Sequence, residues 1–455
     1  MRSKFCDIHF LLIICIFTFV GGPRPVSGQS PPTPLTLSEA IHTALTNNPG
    51  VKAAQYDVEA SESQIRQAES GYFPQIYFSE AFNRTTNPMW TFGTKLNQSA
   101  ITLQDFNPVK LNNPDAISNF ATDFYVDWSI YEGGKTRLSV NQARETHEGM
   151  ALNLQRTRQN IVAKTATAYI GLLLAHKNVS VVRQALETAQ AHLKMVRSRY
   201  ESGFVVKSDL LRAQVRIAEL DQKLLQAESR VEVAQAHLNA IMGMSDEATP
   251  KLITPFEEGE PLKGSLEDWI QTAMTNRPDF RHLVLQESIA RDEIAKSKAG
   301  HFPSLNLVGN YQINSENFSE TADNYTLGAV LKLNLYSGHR ISAKTVEARA
   351  FLQKIKSVQK NMELGIRVQT KQAFLLAQSE WKQIQVTQTT VEHAQEGLRI
   401  VSNRYKNGLL TIVSLMDADV SHHQAQTRHF QSLHDYRVAK INLELAAGTI
   451  DSDFQ

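Results

Sequence analysis

"SRYESGFVVKSDLLRAQV", from Ser198 to Val215, and "NRYKNGLLTIVSLMDADV", from Asn403 to Val420, are two versions of one sentence. Each places Arg-Tyr-x-x-Gly ahead of an apolar stretch, and Tyr200 and Tyr405 stand 205 positions apart. The correspondence runs far beyond the motif. At the same offset Leu210 meets Leu415, Ala213 meets Ala418, Leu238 meets Leu443 and Gly243 meets Gly448, while upstream Tyr131 meets Tyr336 and Gly133 meets Gly338. Nearer the N-terminus the offset becomes 229: "HTALTNNP" aligns with "QTAMTNRP", and "SGYFPQIYF" with "AGHFPSLNL". Self-similarity on this scale means two copies of one structural unit. The change of offset puts 24 extra residues between Pro74 and Tyr131 of the first copy.

The predicted organisation is a signal peptide over 1–28, a first repeat over 29–244, a linker over 245–264, a second repeat over 265–449 and a tail over 450–455. The segment "MRSKFCDIHFLLIICIFTFVGG" has basic Arg2 and Lys4, an apolar core from Phe10 to Val20, and "VSG" before Gln29. That is the layout of an export signal with a small-residue cleavage site. Its apolar run, 11 residues, is short of the ~20 that a membrane-spanning helix needs. "LIIC" lacks the small residues expected before a lipidated Cys15. Both cysteines lie in this segment, so the predicted mature chain has no disulfide, thiolate metal site or Cys nucleophile. With 47 basic and 46 acidic residues the chain is close to neutral, which gives no reason to expect a nucleic-acid partner.

Within each repeat the plan reads helix, strand, loop, strand, long helix, turn, long helix. Leu172, Ala175, Val179, Val182, Leu186, Ala189, Leu193, Val196 and Tyr200 step by three and four. So do Leu210, Ala213, Ile217, Leu220, Leu224, Ala227, Val231, Ala234, Leu238 and Ile241. This is the period of a coiled-coil seam. The proline-free stretches from Tyr131 to Tyr200 and from Tyr336 to Tyr405 predict helices of about 65 residues, roughly 100 Å long. Gly203 and Gly408 sit where the first helix of each antiparallel hairpin (134–242 and 339–447) must end, and are suited to a positive φ.

At the other end of each hairpin the period becomes two. Phe124, Val126, Trp128 and Ile130 alternate with Tyr125, Asp127, Ser129 and Tyr131; Tyr325, Leu327, Ala329, Leu331, Leu333 and Leu335 alternate with mostly polar neighbours. "LNLVGNYQI" alternates as well, and "QIYFSEAF" less cleanly, with Glu80 on the apolar face. The strand pairs are expected over 75–131 and 304–336. A soluble sandwich would give the same alternation. Four strands per chain cannot close a barrel, however, and open sheet edges are forbidden in a bilayer. In an exported chain this suggests a barrel shared among subunits, apolar outside and wet inside.

The doubled hairpin tips, the strand pairs after "FPQ" and "FPS", and "YEGG" and "YSGH" ahead of the long helices resemble the TolC family of bacterial outer-membrane efflux proteins. The resemblance covers about Leu35 to Thr449. It implies a mainly α fold with transmembrane β, in which coiled-coil hairpins build an α-barrel and three chains complete a 12-stranded outer-membrane β-barrel. It further implies a homotrimer of a Gram-negative outer membrane, an exit duct of a tripartite efflux or type I secretion system, with a periplasmic adaptor and an inner-membrane pump as partners. The alternative is an exported coiled-coil structural protein without channel activity.

The family closes its tunnel at the tips. By resemblance Tyr405 matches a gate tyrosine and Asp209 a first-hairpin carboxylate of the same latch. Leu410 stands where the family has an Arg and Ser414 where it has the first of two acids; only Asp417 keeps the second, and as a ring it would make a negative constriction. Arg199, Gly203, Arg404 and Gly408 match the adaptor-docking tips. The plainer readings are that the acids complement helix starts, Tyr405 is seam packing, and Arg and Gly finish a helix. Trp90, Phe92 and Phe106 lie in the long first loop, expected outside the cell, packed within it or at the membrane interface.

"SHHQAQTRHFQSLH" is the densest histidine segment. His422 and His429 are seven apart and share a helix face. Without an i, i+4 pair or HExxH they read as polar seam residues rather than metal ligands. No phosphate-binding loop, nucleophile elbow or triad spacing is present, so neither an enzyme nor a cofactor is expected.

Overall fold

The structure, a computed structural model, describes residues 34–245, 248 and 250–451. The expected signal peptide, with both cysteines, lies outside them. The first repeat runs β1 (Pro34–Leu35), α1 (Leu37–Asn47), α2 (Pro49–Glu69), β2 (Gln75–Thr85), α3 (Pro88–Asn97), α4 (Pro108–Asn112), β3 (Ile117–Glu132), α5 (Lys135–Glu201) and α6 (Lys207–Met242). The second runs β4 (Lys251–Leu252), α7 (Leu266–Asn276), α8 (Pro278–Lys298), β5 (Ser304–Ser315), β6 (Ala322–Lys332), α9 (Arg340–Lys406) and α10 (Ile412–Ala447).

Each repeat opens with two helices where the sequence pattern suggested one. Pro49 and Pro278 are the cause. A proline lacks the N–H that a helix interior needs but is at home in the first turn, so the chain ends one helix and starts another. Asn48 caps the second start by accepting the Gly50 N–H at 2.8 Å. Its Nδ2 donates to the carbonyl of Ile241 at 2.8 Å, which seats the end of α6 against the α1–α2 corner. Gly243 is required there: its φ is +67°, and a Cβ would lie 2.8 Å from the Asn47 carbonyl oxygen. Gly448 meets Arg277 at the matching corner of the second repeat.

α5 and α9, 67 residues each, are about 100 Å long, and each turns back into a 36-residue partner. Their seams bury residues the period picked out, among them Leu172, Val179 and Val196 facing Ala213, Leu220 and Leu238. The densest core lies partway along the rod, where Tyr169, Leu172, Ile41, Leu238, Met242 and Ile441 are fully buried. Burial of each large side chain contributes ~1.5–3 kcal/mol. The region read as a linker takes part here: β4 pairs in parallel with β1, and the Tyr169 hydroxyl donates to the Leu35 carbonyl at 2.7 Å beside Thr254. Local composition marks 245–264 as a connector, but the hydrogen bonds that strap it to the rod come from residues far away in the chain.

The four long strands form one antiparallel sheet in the order β2-β3-β5-β6. Gln75 opposes Asp127 and Ser304 opposes Lys332, so the two hairpins have the same register under the repeat offsets. One face carries Ile76, Phe78, Phe82, Phe124, Trp128, Leu307, Tyr311, Tyr325, Leu327 and Leu331, all exposed. The other carries Ser79, Asn83, Asp123, Asp127, Asn306, Asn310 and Gln312. Glu80 does stand on the apolar face, and its carboxylate accepts from the Thr122 hydroxyl at 2.5 Å. β6 stops at Lys332, short of the expected 336. β3 runs on to Glu132 because β5 continues beside it, with Glu132 opposite Ser304. β6 is an edge strand with no second neighbour to extend against.

Residues 86–116 form the long loop, against 316–321 in the second repeat. It has its own small core: Phe92 meets Phe106 edge-on at 5.8 Å, and Lys95 pairs with Asp105 at 2.6 Å, which with Thr102 holds that carboxyl down at about 2. Trp90 stays exposed. Among the described residues no helix is long and apolar enough to cross a membrane.

Candidate functional site

The two tips are built alike. Gly203 (φ +78°) and Gly408 (φ +74°) take the left-handed conformation. Their N–H groups donate to the Tyr200 and Tyr405 carbonyls at 3.0 Å, and those of Phe204 and Leu409 donate to the Arg199 and Arg404 carbonyls. This pattern satisfies the last carbonyls of each helix and turns the chain. The side chains are used unequally. Arg199 reaches across to the other hairpin, where it donates to the Tyr405 carbonyl at 3.1 Å and the Lys406 carbonyl at 2.7 Å, with its guanidinium 4.8 Å from the Tyr405 ring centre. It therefore completes the C-terminus of α9 rather than of its own helix. Arg404 is exposed.

Tyr405 is 2 % exposed, packed with Val196, Ile412 and Leu415. Among the described residues its hydroxyl has no hydrogen-bond partner. Burial raises its pKa, an effect that Arg199 opposes and that the charge of Asp209, in the first turn of α6, adds to. The tip thus brings Arg199, Tyr405 and Asp209 together. Asp417 is apart from them, exposed on α10 beside Arg212 and Arg216, on a groove of about 450 Å³ lined by Leu211, Val215 and Met416. Leu410 and Ser414 are half-buried. The Thr411 hydroxyl caps α10 by accepting from the Ser414 N–H at 3.4 Å.

A second polar joint, further up the rod, escaped the sequence reading. His192 Nε2 of α5 lies 2.7 Å from Asp419 Oδ2 of α10, both largely buried, as a close contact without hydrogen-bond alignment. Around it Arg216 and His423 line a cavity of about 20 Å³, room for one water. Burial holds His423 below the ordinary imidazole range, with His422 and Arg216 adding to this and Gln426 and Asp419 opposing it. Asp419 occupies a seam position, four residues after buried Leu415 and three before His422. An acid on that seam was the available signal. His429 sits 3.2 Å from the Thr387 hydroxyl, itself 2.8 Å from Ser432, so it acts as a polar seam residue. Among the described residues no group of three His, Cys, Asp or Glu side chains is arranged to hold a metal ion.

Long paired coils carrying an amphipathic, open-edged sheet at one end and tight glycine turns at the other are the architecture of a membrane-anchored channel protein. The family model described as "Outer membrane efflux protein" matches residues 40–244 and 269–449, and the chain belongs to that family, whose place is the outer membrane. The chain is 21% identical to the proteases secretion protein PrtF of Dickeya chrysanthemi over 97% of this chain and 92% of that protein. It is 22% identical to the outer membrane protein TolC of Vibrio cholerae over 91% of each. Its fold matches the CmeC outer membrane channel of Campylobacter jejuni with a TM-score of 0.76 at 15% identity, covering 92% of this chain and 87% of that one.

Proposed function

We propose that this protein is the outer-membrane exit duct of a tripartite efflux or type I secretion system, working as a homotrimer. The observation that carries the reading is the sheet: one face apolar and exposed, the other polar, with β2 and β6 left as free edges. Such a sheet is stable in a bilayer only when the edges close on other copies. Three copies would give twelve strands around a wet lumen and twelve helices below it. A periplasmic adaptor would meet the tips at Arg199, Gly203, Arg404 and Gly408, and an inner-membrane pump would supply the energy. Among the relatives, PrtF by its name secretes proteases and OpmQ of Pseudomonas aeruginosa exports pyoverdine; a neutral duct with little chemistry of its own suits cargo chosen by the pump.

The gate assigned to this duct has two parts. Tyr405, held by Arg199, would fix the second hairpin against the first, with the charge of Asp209 acting on the same hydroxyl. Asp417, repeated around the three-fold axis, would ring the opening with negative charge that favours cations. The test is single-channel conductance in a planar bilayer, wild type against Asp417→Ala. A small cation-preferring conductance that loses its preference in the variant supports duct and ring together. Folded, membrane-extracted protein that forms no channel overturns the duct.

A further inference from the structure

Where the sheet meets the long helices, the second repeat borders a cavity of about 500 Å³. Its wall comes from the end of α8, the start of β5, the end of β6 and the starts of α5 and α9. Five cations line it, Lys135, Lys296, Lys332, Arg340 and Lys344, against one acid, Glu132. None of these six forms an ion pair among the described residues. Ser304 lies opposite both Glu132 and Lys332 and alternates in step with Asn306, Asn310 and Gln312, so the cavity opens on the polar side of the sheet.

Three features set the cavity apart from an ordinary solvated surface. Lys135 and Arg340 are the opening residues of α5 and α9, and neither helix has a side-chain cap or an acid in its first turn. A cation there works against the positive end of the helix, whereas the uncapped N–H groups of a first turn suit an anion. Ser297, 5 % exposed, borders the cavity, and its hydroxyl has no hydrogen-bond partner among the described residues. A buried hydroxyl left without a partner is costly, and an acceptor in the cavity would relieve it. The fold itself does not demand the charge. Under the repeat, Lys296, Ser297, Lys332 and Lys344 stand where the first repeat has Gln67, Ala68, Asp127 and Ser139. The matching corner of the first repeat is therefore neutral, with Lys135, the counterpart of Arg340, set against Asp127.

Resting on the duct proposed above, we infer that this cavity is an anion-binding site in the duct wall, which takes carboxylate or phosphate groups of acidic cargo as they pass from the helical tunnel into the barrel. Lys296, Lys332 and Lys344 meet the negative charge, and the Ser297 hydroxyl donates to one of its oxygens. The volume suits a group with several charges rather than a single halide. Repeated around the three-fold axis, the site makes a positive collar at the base of the sheet, opposite in sign to the Asp417 ring at the tips.

The probe is tripolyphosphate, added on the sheet side of single channels in a bilayer of neutral phosphatidylcholine. It should interrupt the wild-type current, and the block should weaken as salt is raised. Lys332→Gln with Lys344→Gln should need about tenfold more tripolyphosphate for half block. Lys298→Gln, at an exposed position of α8 outside the cavity, should need no more than wild type. Ser297→Ala, which removes a donor but no charge, should weaken the block less than the lysine pair does. Channels that conduct without block, or that are blocked equally in the lysine variant, overturn the site and leave the duct standing. Phosphatidylglycerol that stays with purified wild type, is lost from the lysine variant and abolishes the block when added to the bilayer assigns the site to a lipid headgroup and overturns the cargo reading. Folded protein that forms no channel overturns the duct, and the site in its wall with it.

Discussion

Arg199 of the first hairpin lies over the ring of Tyr405 of the second and donates to that residue's carbonyl at 3.1 Å. One tip thus supplies the missing cap of the other, which couples two hairpins that share no sequence neighbours. Hydrogen bonds from a charged donor contribute roughly 1.5–3 kcal/mol when shielded, and the half-buried setting of Arg199 places it toward the lower end. Arg199→Ala should loosen α9 at its end. Amide exchange at residues 401–408 should quicken and conductance should rise, with the global thermal midpoint nearly unchanged. Unaltered exchange at those residues would show that the contact carries no load.

His192 and Asp419 form the second tie. Removing one member of a buried polar contact leaves the other without its partner, which costs ~1–3 kcal/mol. Asp419→Ala should therefore lower the guanidinium midpoint strongly, while the double variant with His192→Ala should recover part of the loss. Strict additivity in that cycle would mean the two residues do not interact.

Acid should weaken the second hairpin. Burial lowers the pKa of His423 and of His429. These imidazoles stay neutral in the fold while the unfolded chain takes up protons below about pH 6.5. Stability is complete above that pH and is lost as pH falls through the lowered folded values. Asp419 and Gln426 around His423 favour its charge, His422 and Arg216 oppose it, and Glu258 favours that of His429. The thermal midpoint should drop by several degrees between pH 7 and pH 5, and His423→Gln with His429→Gln should flatten the decline. An equally steep decline in the double variant would assign the effect elsewhere.

Gly243→Ala should be more damaging than Gly203→Ala. Both sites have positive φ, which costs an L residue roughly 1–2 kcal/mol. A Cβ at Gly243 would also lie 2.8 Å from the Asn47 carbonyl oxygen, whereas one at Gly203 would meet nothing within 4 Å. The first variant should unfold at clearly lower denaturant; equal midpoints would mean that the α6 corner yields.

The repeat, the hairpins, the turn glycines and the two-residue alternation of the strands were all written locally, so the sequence by itself determined them. A seam period or an alternating face is a property of consecutive residues, set by 3.6 or 2 residues per turn of backbone. What only the tertiary structure decided were contacts between elements distant along the chain. Arg199 finishing α9, His192 meeting Asp419, Lys251 and Leu252 pairing with Pro34 and Leu35, and β6 stopping at Lys332 all depend on which surfaces are brought together. Asp419 shows the difference most clearly: its seam position was legible, but the imidazole that justifies an acid there lies on another helix, and only packing brings it to 2.7 Å.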